Sequence, residues 1–305
     1  MCYVGIHVNA SSEEGSVQMY ASDRRLALPE LERASNAGHL SNHYAIAETE
    51  YNSAIRDAQI GRSSRVLDAG CGGGDLLARI ATQVGPSGRI SAIDISAQAI
   101  NALNGRLARE PLITPVEARV GSVTRIPFAE SVFDHVWCAN VVQYLLEDEF
   151  NVCIDEFRRV LKPGGRIAIK EVDVRETTLA PLDRGLLLRL QLARIERGNQ
   201  SKRLGPWCGG SLADRLTRHD VNVLKRVKYT VKHRFPLAHQ ARHYVSELLR
   251  YYCSIAQYYE LPSRDIRTWA ALAADPPSLL DMPSFVFRET FYLVVARSNK
   301  ADKSP

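Results

Sequence analysis

The stretch Val66-Leu67-Asp68-Ala69-Gly70-Cys71-Gly72-Gly73-Gly74-Asp75 decides the fold of this chain. An apolar run ends near an acid and is followed by a glycine cluster, after which the pattern becomes helical. Glycines between a strand and a helix let the backbone turn sharply and approach a ligand closely. The dinucleotide fingerprint G-x-G-x-x-G does not fit, because its third glycine would fall on Asp75. The acid Asp68 would repel a pyrophosphate, so the loop favours a cationic ligand.

Outward from this loop, short apolar runs alternate with helical patterns. The predicted strands are 65–69, 89–94, 116–120, 133–139, 166–172, 221–232 and 285–296, with helices over 76–81, 97–109 and 149–160. Strands that alternate with helices at this spacing indicate βαβ units and a mainly parallel sheet. Before the first strand, residues 26–59 have helical periodicity and end at Gly61.

Composition limits the class of protein. The chain has 305 residues, of which 45% are hydrophobic, enough for a buried core. The length fits one large α/β domain with insertions or two smaller domains. No apolar run has the ~20 residues that a membrane span needs, and no secretory signal is visible. The six cysteines form no C-x-x-C pair, so we expect reduced thiols, no metal site and a cytoplasmic location.

Charge is distributed unevenly along the chain. The net charge is +5, yet residues 184–234 contain 13 Lys and Arg against three acids, Glu196, Asp214 and Asp220. Such a segment is typical of nucleic-acid or phosphate binding, and equally of solvated helix faces. Both interpretations stay open at this point.

Asp94 ends the second predicted strand, 20 residues after Gly74. A carboxylate at this place can accept hydrogen bonds from both ribose hydroxyls of a nucleoside. The ligand expected at this site therefore has a ribose, carries no phosphate, and places a positive charge near Asp68. S-adenosylmethionine (SAM), with its ribose, ammonium and sulfonium, meets these requirements.

With these motifs in place, residues 63–175 resemble the class I SAM-dependent methyltransferases. Asp68-Ala69-Gly70-Cys71-Gly72-Gly73-Gly74 is similar to the acid-x-G-x-G-x-G motif of that family, and Asp94 matches its acid after the second strand. Phe133-Asp134-His135-Val136-Trp137 resembles the fourth-strand motif. Leu161-Lys162-Pro163-Gly164-Gly165 resembles the turn before the fifth strand.

The resemblance implies an α/β, Rossmann-like fold. Its sheet would have seven mostly parallel strands and an antiparallel last strand, with helices on both faces and helical lid insertions. We expect an N-terminal arm and lid helices over 1–62 and a SAM-binding core over 63–235 and 284–298. An aromatic-rich helical insert over 236–283 would cap the substrate, and 299–305 would be a tail.

The resemblance also implies roles for individual residues. Asp68 and the glycine backbone would line the methionine moiety, and Asp94 would bind the ribose. Ile95 would flank the adenine, with Ser122 and Val123 near its polar edge. Cys138 and Asn140 would hold the methionyl ammonium or face the substrate. The implied cofactor-binding set is Asp68, Gly70, Gly72, Gly74, Asp94, Ile95, Ser122, Val123, Cys138 and Asn140. Many members have an Asp where Gly121-Ser122 stands, so here Ser122 would contact the adenine through its hydroxyl or its backbone.

The residues after the fourth strand narrow the class of acceptor. Asn140-Val141-Val142-Gln143 lacks the Asp/Asn-Pro-Pro-aromatic run of amino-methylating nucleic-acid enzymes, and Cys138 lacks the preceding proline of a cytosine C5 nucleophile. The motifs most resemble the branch that methylates quinones, sterols and terpenoids. Aromatic residues in the insert favour an apolar or aromatic acceptor. The candidate substrate and lid residues are Tyr20, Tyr44, Gln143, Tyr244, Tyr251 and Tyr252.

Methyl transfer is an in-line displacement that depends on positioning, and a hydroxyl acceptor also needs a base. The candidate bases are Glu171, His43 and His243. Transfer to oxygen, carbon or nitrogen is left open. Two alternatives remain: a methyltransferase that uses the basic 184–234 segment to bind nucleic acid or a phosphorylated substrate, and a non-catalytic SAM-binding scaffold. The main hypothesis has a small-molecule acceptor and no nucleic-acid partner, and a homo-oligomer through the N-terminal arm or the insert is a further expectation.

Overall fold

A β-sheet with helices on both faces organises the molecule in the computed structural model, which describes residues 37–300. The strands are β1 (Arg65–Ala69), β2 (Arg89–Asp94), β3 (Val116–Val120), β4 (Phe133–Ala139), β5 (Leu161–Val172), β6 (Thr178–Ala180), β7 (Val221–Arg234) and β8 (Val286–Ser298). The helices are α1 (Ala37–Ile46), α2 (Glu48–Asp57), α3 (Leu77–Val84), α4 (Ala97–Arg109), α5 (Glu147–Val160), α6 (Arg184–Gln200), α7 (Leu212–Leu216), α8 (His239–Tyr258), α9 (Ser263–Ala274) and α10 (Pro277–Leu280).

The sheet has the order β3-β2-β1-β4-β5-β8, and β7 pairs with the outer edge of β8. Strands β1 to β5 are parallel, whereas β8 is antiparallel to β5 and to β7. This arrangement confirms the predicted Rossmann-like, mostly parallel sheet with an antiparallel last strand.

The number of strands differs from the prediction of seven. The additional strand is β6, which pairs with residues 286–288 of β8, while β5 pairs with residues 291–297 of the same strand. β6 thus continues the line of β5 after an interruption at the 3₁₀ turn Val174–Glu176. A three-residue strand has no periodicity from which the sequence could predict it.

The parallel strands bring their carboxyl ends to one edge. Asp68 of β1 is in register with Ala92 of β2 and Trp137 of β4, and Ala139 of β4 is in register with Lys170 of β5. The glycine loop, Asp94 and Asn140 therefore come after neighbouring strands at the same edge. Ligands of doubly wound sheets bind at this edge.

The predicted helical region before β1 is two helices within the described part of the chain. Ala47 separates α1 from α2 with φ −116° and ψ 21°. Tyr51, Ala54 and Ile55 of α2 are buried in the core that also contains α3 and α8. The opposite face of the sheet buries α5 and α7.

The region 236–283 contains α8, α9 and α10, and α8 packs against both α1 and α9. Within residues 37–300, no helix combines the length and the hydropathy that a bilayer crossing requires. The same residues contain no group of three or more His, Cys, Asp or Glu side chains arranged to hold a metal ion.

Candidate active site

The glycine loop has one packed side and one open side. Gly70 has φ +83°, and a Cβ there would lie 2.2 Å from a methyl group of Val141. At Gly72 (φ +51°) and Gly73, by contrast, an added Cβ would meet no heavy atom of residues 37–300 within 4 Å. The loop thus packs its first glycine against the residues after β4 and presents the backbone of the next two to open space. A ligand can approach that backbone closely.

Asp94 joins the end of β2 to this loop. Its carboxylate accepts hydrogen bonds from the Gly72 and Ser96 backbone N–H groups, each at 2.9 Å. An ionised carboxylate has about four lone-pair positions. Both oxygens therefore retain acceptor capacity for hydroxyl groups, while the backbone bonds fix their direction.

Asp68 lies at the end of β1 and is only 4% exposed, yet it accepts no hydrogen bond from the described residues. Burial, with a smaller contribution from the Asp94 carboxylate, raises the pKa of Asp68 to about 7. A buried carboxyl without a partner is unfavourable unless a donor or a cation reaches it. The open glycine backbone, Asp94 and Asp68 together fit a ligand with a ribose and an ammonium group.

The three residues implied for adenine binding lie after β2 and β3. The Gly121 backbone N–H donates to the Asp94 carbonyl oxygen at 2.9 Å, which brings this turn beside Ile95. Ile95 is half-buried, and Val123 is buried in the core. The Ser122 hydroxyl bonds the Thr124 hydroxyl at 2.8 Å and the Thr124 N–H at 3.2 Å. The Ser122 hydroxyl therefore already has hydrogen-bond partners within its own turn.

The two residues implied at the end of β4 have different environments. Asn140 is half-buried and has φ +60°, a conformation that Asn tolerates better than most residues. Cys138 is fully buried, and burial holds the pKa of its thiol well above the ordinary value. A neutral, enclosed thiol is a poor nucleophile.

Glu171 near the end of β5 is fully buried and holds the turn after β4. One carboxylate oxygen accepts hydrogen bonds from the N–H groups of Val141 and Val142 at 2.7 Å and of Gln143 at 3.4 Å. The other oxygen has no hydrogen-bond partner among the residues that the structure describes. Burial raises the pKa of Glu171 to about 7, although Lys170 and these amides oppose the rise. The geometry gives Glu171 a structural anchor function at this turn.

Lys170, one residue before Glu171, is the centre of a second polar cluster. Its ammonium donates to Asn140 Oδ1 at 2.6 Å and to the Tyr51 hydroxyl at 2.9 Å. Tyr51 also accepts from Asn140 Nδ2 at 3.0 Å and lies 3.1 Å from His43 Nδ1. His43 Nε2 lies 3.1 Å from Glu289 on β8. We call these five residues the Lys170 network.

Sequence reasoning missed Tyr51, Lys170 and Glu289 as members of the site. Lys170 and Glu289 are buried charged residues inside strands, and their neighbours two positions away, on the same face of the strand, are apolar. Charged residues are almost never fully buried unless they are paired. The interruption of these two apolar runs is thus the signal that could have identified them.

Tyr44 links the two clusters from α1. Burial raises the pKa of Tyr44, nearby Asp68 and Asp75 raise it further, and the Asn140 amide opposes them. The Ser41 hydroxyl donates to Asp75 at 3.0 Å, so α1 is also bonded to the residue after the glycine loop. Tyr44 is therefore a neutral phenol between Asp68 and Asn140.

The remaining candidate lid residues are dispersed. Tyr244 is buried beside the Lys170 network and donates to Glu289 at 3.2 Å. Tyr251 accepts from Arg194 at 3.1 Å, and Tyr252 packs edge-on to Trp269 with ring centroids 5.3 Å apart. The final candidate in this group, Gln143, is buried in the turn held by Glu171.

Two further candidates lie elsewhere. His243 is exposed on α8 and lies 3.5 Å from Glu247, one helical turn on. Tyr20 is outside the described residues. Of the three candidate bases, the structure thus brings His43 into the Lys170 network and leaves His243 on the surface.

Much of the positive charge in residues 184–234 is matched by acids from other parts of the chain. The ion pairs are Arg189–Asp265, Arg215–Glu147, Lys225–Asp57 and Lys228–Glu176. Arg194 is buried and donates to Gln191. The basic segment therefore contributes to internal pairing as well as to the surface.

The comparisons with known proteins agree with this geometry. Residues 66–165 match a family described as a methyltransferase domain. The ubiquinone/menaquinone biosynthesis C-methyltransferase UbiE of Cupriavidus metallidurans is 32% identical over 117 residues, which are 38% of this chain and 46% of that protein. UbiE of Coxiella burnetii is 30% identical over 131 residues, which are 42% of this chain and 50% of that protein. The chain thus spans about half the length of these curated relatives.

Solved structures share the fold at low sequence identity. YcgJ of Bacillus subtilis has a TM-score of 0.52 and 14% identity, and the match covers 85% of this chain and all of that one. The [4+2]-cyclase SpnF has a TM-score of 0.51 and 19% identity, with 83% of this chain and 81% of that chain covered. These two likenesses concern the fold alone.

Proposed function

We propose, from the premise that this chain carries a methyltransferase domain of the class I SAM-dependent family, that it transfers the methyl group of SAM to a small apolar or aromatic acceptor. The relatives named UbiE are C-methyltransferases of quinone biosynthesis, which makes a hydroxylated aromatic ring the first acceptor class to test. The observation that carries the proposal is the buried Asp68, which has no hydrogen-bond partner in the described part of the chain, beside the open backbone of Gly72 and Gly73.

Different residues of the chain would bind different parts of the cofactor. Asp94 would accept both ribose hydroxyls, since its backbone bonds leave lone pairs on each oxygen. Asp68 would face the methionyl ammonium, and the Gly72 and Gly73 backbone would lie against the amino-acid tail. When bound, SAM supplies an activated methyl group on a sulfonium. The carboxylates at this edge favour that positive charge over a phosphate.

The acceptor would bind next to Tyr44, whose phenol stays protonated and can hydrogen bond an acceptor oxygen. Tyr44 and Tyr51 meet edge to face, with ring centroids 4.7 Å apart, and give this side an aromatic wall. We assign none of the three candidate bases as the base, because Glu171 is bound by three amides, His243 is exposed, and both ring nitrogens of the buried His43 have partners inside the protein.

Cofactor binding is tested with S-adenosylhomocysteine in a calorimetric titration. We expect Asp94→Asn to weaken binding by at least about tenfold, because hydrogen bonds to a charged group are worth about 1.5–3 kcal/mol each. Asp148→Asn, at an exposed position on α5, is the matched control and should bind like the wild type. Wild-type protein that binds no S-adenosylhomocysteine would contradict the proposal.

The reaction is tested with methyl-labelled SAM and separate acceptor panels: hydroquinones, catechols, sterols, isoprenoids, and transfer RNA or duplex DNA. We expect label in an apolar or aromatic small molecule. Label in the nucleic-acid panel, with binding that weakens steeply as salt rises, would support the alternative that uses the basic segment. Tight cofactor binding without transfer to any panel would support the non-catalytic scaffold.

A further inference from the structure

The hydrogen bonds of the Lys170 network have a fixed direction. An ammonium group donates and never accepts. Asn140 must therefore present its carbonyl oxygen to Lys170, at 2.6 Å, and its amino group to Tyr51, at 3.0 Å. Lys170 thus fixes the orientation of an amide that would otherwise fit in two ways.

The direction continues through Tyr51. Its oxygen already accepts from Lys170 and Asn140, and the residue is fully buried. The hydroxyl hydrogen must then point to His43 Nδ1, which is 3.1 Å away. His43 carries its own hydrogen on Nε2 and donates it to Glu289 at 3.1 Å. The charge on Lys170 therefore sets the tautomer of a histidine that it does not contact.

Lys170 itself is enclosed and faces rings rather than open space. Its ammonium lies 4.4 Å from the centroid of the Phe291 ring and 4.8 Å from that of Tyr51, and the side chain is fully buried. Asn140 is half-buried and lies next to Tyr44 and to Val141, which packs on Gly70. Lys170 can therefore act on a ligand through the two groups that it bonds, Asn140 and Tyr51.

We propose that Lys170 is a positioning residue: its ammonium locks the Asn140 amide and the hydrogen bonds of Tyr51 and His43, and this holds the wall of the site that contacts the cofactor and acceptor. The inference rests on the proposed function, because it assigns a role at the same site.

Loss of the proton from Lys170 would reverse the donor and acceptor roles in part of the Lys170 network. A neutral amine can accept the Tyr51 hydrogen, which would then leave His43 Nδ1 without its donor. The ionisable groups around Lys170 are Glu171 on its own strand, Glu289 on β8, His43 on α1, Tyr51 on α2 and Tyr244 on α8. Burial lowers the pKa of Lys170 to about 8, although the two glutamates oppose this. The reversal therefore falls within an accessible pH range.

The first test measures S-adenosylhomocysteine affinity against pH in the full chain. In the wild type, affinity should rise as Asp68 ionises near pH 7 and fall as Lys170 loses its proton near pH 8. Lys170→Met should bind about tenfold more weakly at pH 7 and lose the decline attributed to Lys170. Lys162→Met, on the same strand with its ammonium on Asp134, is the matched control. The ligand amine titrates equally in all three proteins.

A second measurement reads the His43 tautomer in the wild-type protein, and a variant serves only to assign the signal. In ¹⁵N-histidine-labelled wild type, the His43 resonances, assigned by their loss in His43→Gln, should show hydrogen on Nε2 at pH 7. They should also shift as the pH rises through about 8.

The outcomes separate the two proposals. A wild type that binds no S-adenosylhomocysteine at any pH contradicts the proposed function. Binding that Lys170→Met leaves unchanged in strength and pH dependence, or a His43 with hydrogen on Nδ1 at pH 7, overturns the positioning role alone.

Discussion

The glycine-loop half of the candidate site and the Lys170 network lie at the same edge of the sheet, but they differ in whether their buried charged groups have partners within the protein. On the glycine-loop side, Asp68 is buried and has no hydrogen-bond partner among residues 37–300, and the backbone at Gly72 and Gly73 has no neighbour among them that a Cβ would meet. On the other side, Lys170 is buried with two hydrogen-bond partners and two aromatic rings. On the two proposals above, a ligand would complete the first half, whereas the second has its partners within the protein and would hold the first in place.

This difference predicts that substitutions in the two halves affect stability and binding in different proportions. Changes that face open space should cost binding and little stability. Changes in a network with every partner in place should cost stability as well, because each removed group leaves others buried without a partner.

The largest effect is expected at Gly70. Gly70→Ala would place a Cβ 2.2 Å from Val141 at a φ of +83°. We expect a loss of about 3–4 kcal/mol in the free energy of unfolding, from overpacking and backbone strain together. Chemical denaturation measures it. Gly73→Ala, which meets open space, should lose less than about 1 kcal/mol while weakening S-adenosylhomocysteine binding. Equal destabilisation by the two substitutions would remove the distinction between the packed and open sides of the loop.

A smaller effect is expected from Tyr51→Phe. The hydroxyl bonds Lys170, Asn140 and His43, and its removal leaves all three with a missing partner in the interior. We expect the free energy of unfolding to fall by about 2–3 kcal/mol. Tyr258→Phe, at a more exposed position on α8, is the control and should be close to neutral. A neutral Tyr51→Phe would mean that the network does not stabilise the fold.

At Asp68 we expect a substitution to raise the free energy of unfolding rather than lower it. Its pKa is raised from 3.8 to about 7, so the folded protein holds a proton that the unfolded chain has lost, and this group's contribution to stability declines as pH rises from about 4 to 7. Asp68→Asn should remove that decline. At pH 8 the variant should be about 1–2 kcal/mol more stable than the wild type and bind S-adenosylhomocysteine more weakly. Urea denaturation across this pH range tests the sign; a variant less stable than the wild type at pH 8 would show that Asp68 has a partner.

The fold was largely predictable because strand and helix periods are local properties of the sequence. The acid–glycine motif, Asp94 and the alternation of strands and helices predicted both the sheet and the edge at which the site lies. The short strand β6 was missed because its three residues are ordered by pairing with β8 rather than by any pattern of their own.

The site was predictable only where backbone geometry defines it. Glu171 was expected to act as a base because it lies near a strand end, but a strand alternates its side chains between two faces. The register of β5 turns Lys170 towards α1 and α2 and Glu171 towards the turn 141–143. Tyr51 carries no local signal of its role. The charge of Glu289 within an apolar strand face signals a buried pair but does not identify the partner, since α1 and β8 lie far apart in the chain and meet only in the folded molecule.

The smallest effect on stability and binding is expected from substitution of His243. Comparison with the buried His43 shows how much of a histidine's contribution depends on burial. His43 and His243 were equivalent candidates in the sequence, yet His43 is bonded to Tyr51 and lies against Glu289, whereas His243 is exposed beside Glu247. His243→Gln should change the free energy of unfolding by less than about 0.5 kcal/mol and leave S-adenosylhomocysteine binding unaltered. His43→Gln, measured in parallel by denaturation and calorimetry, should reduce both. A loss of binding in His243→Gln that matches the loss in His43→Gln would place the exposed face of α8 in the site and break the contrast between the buried network and the surface.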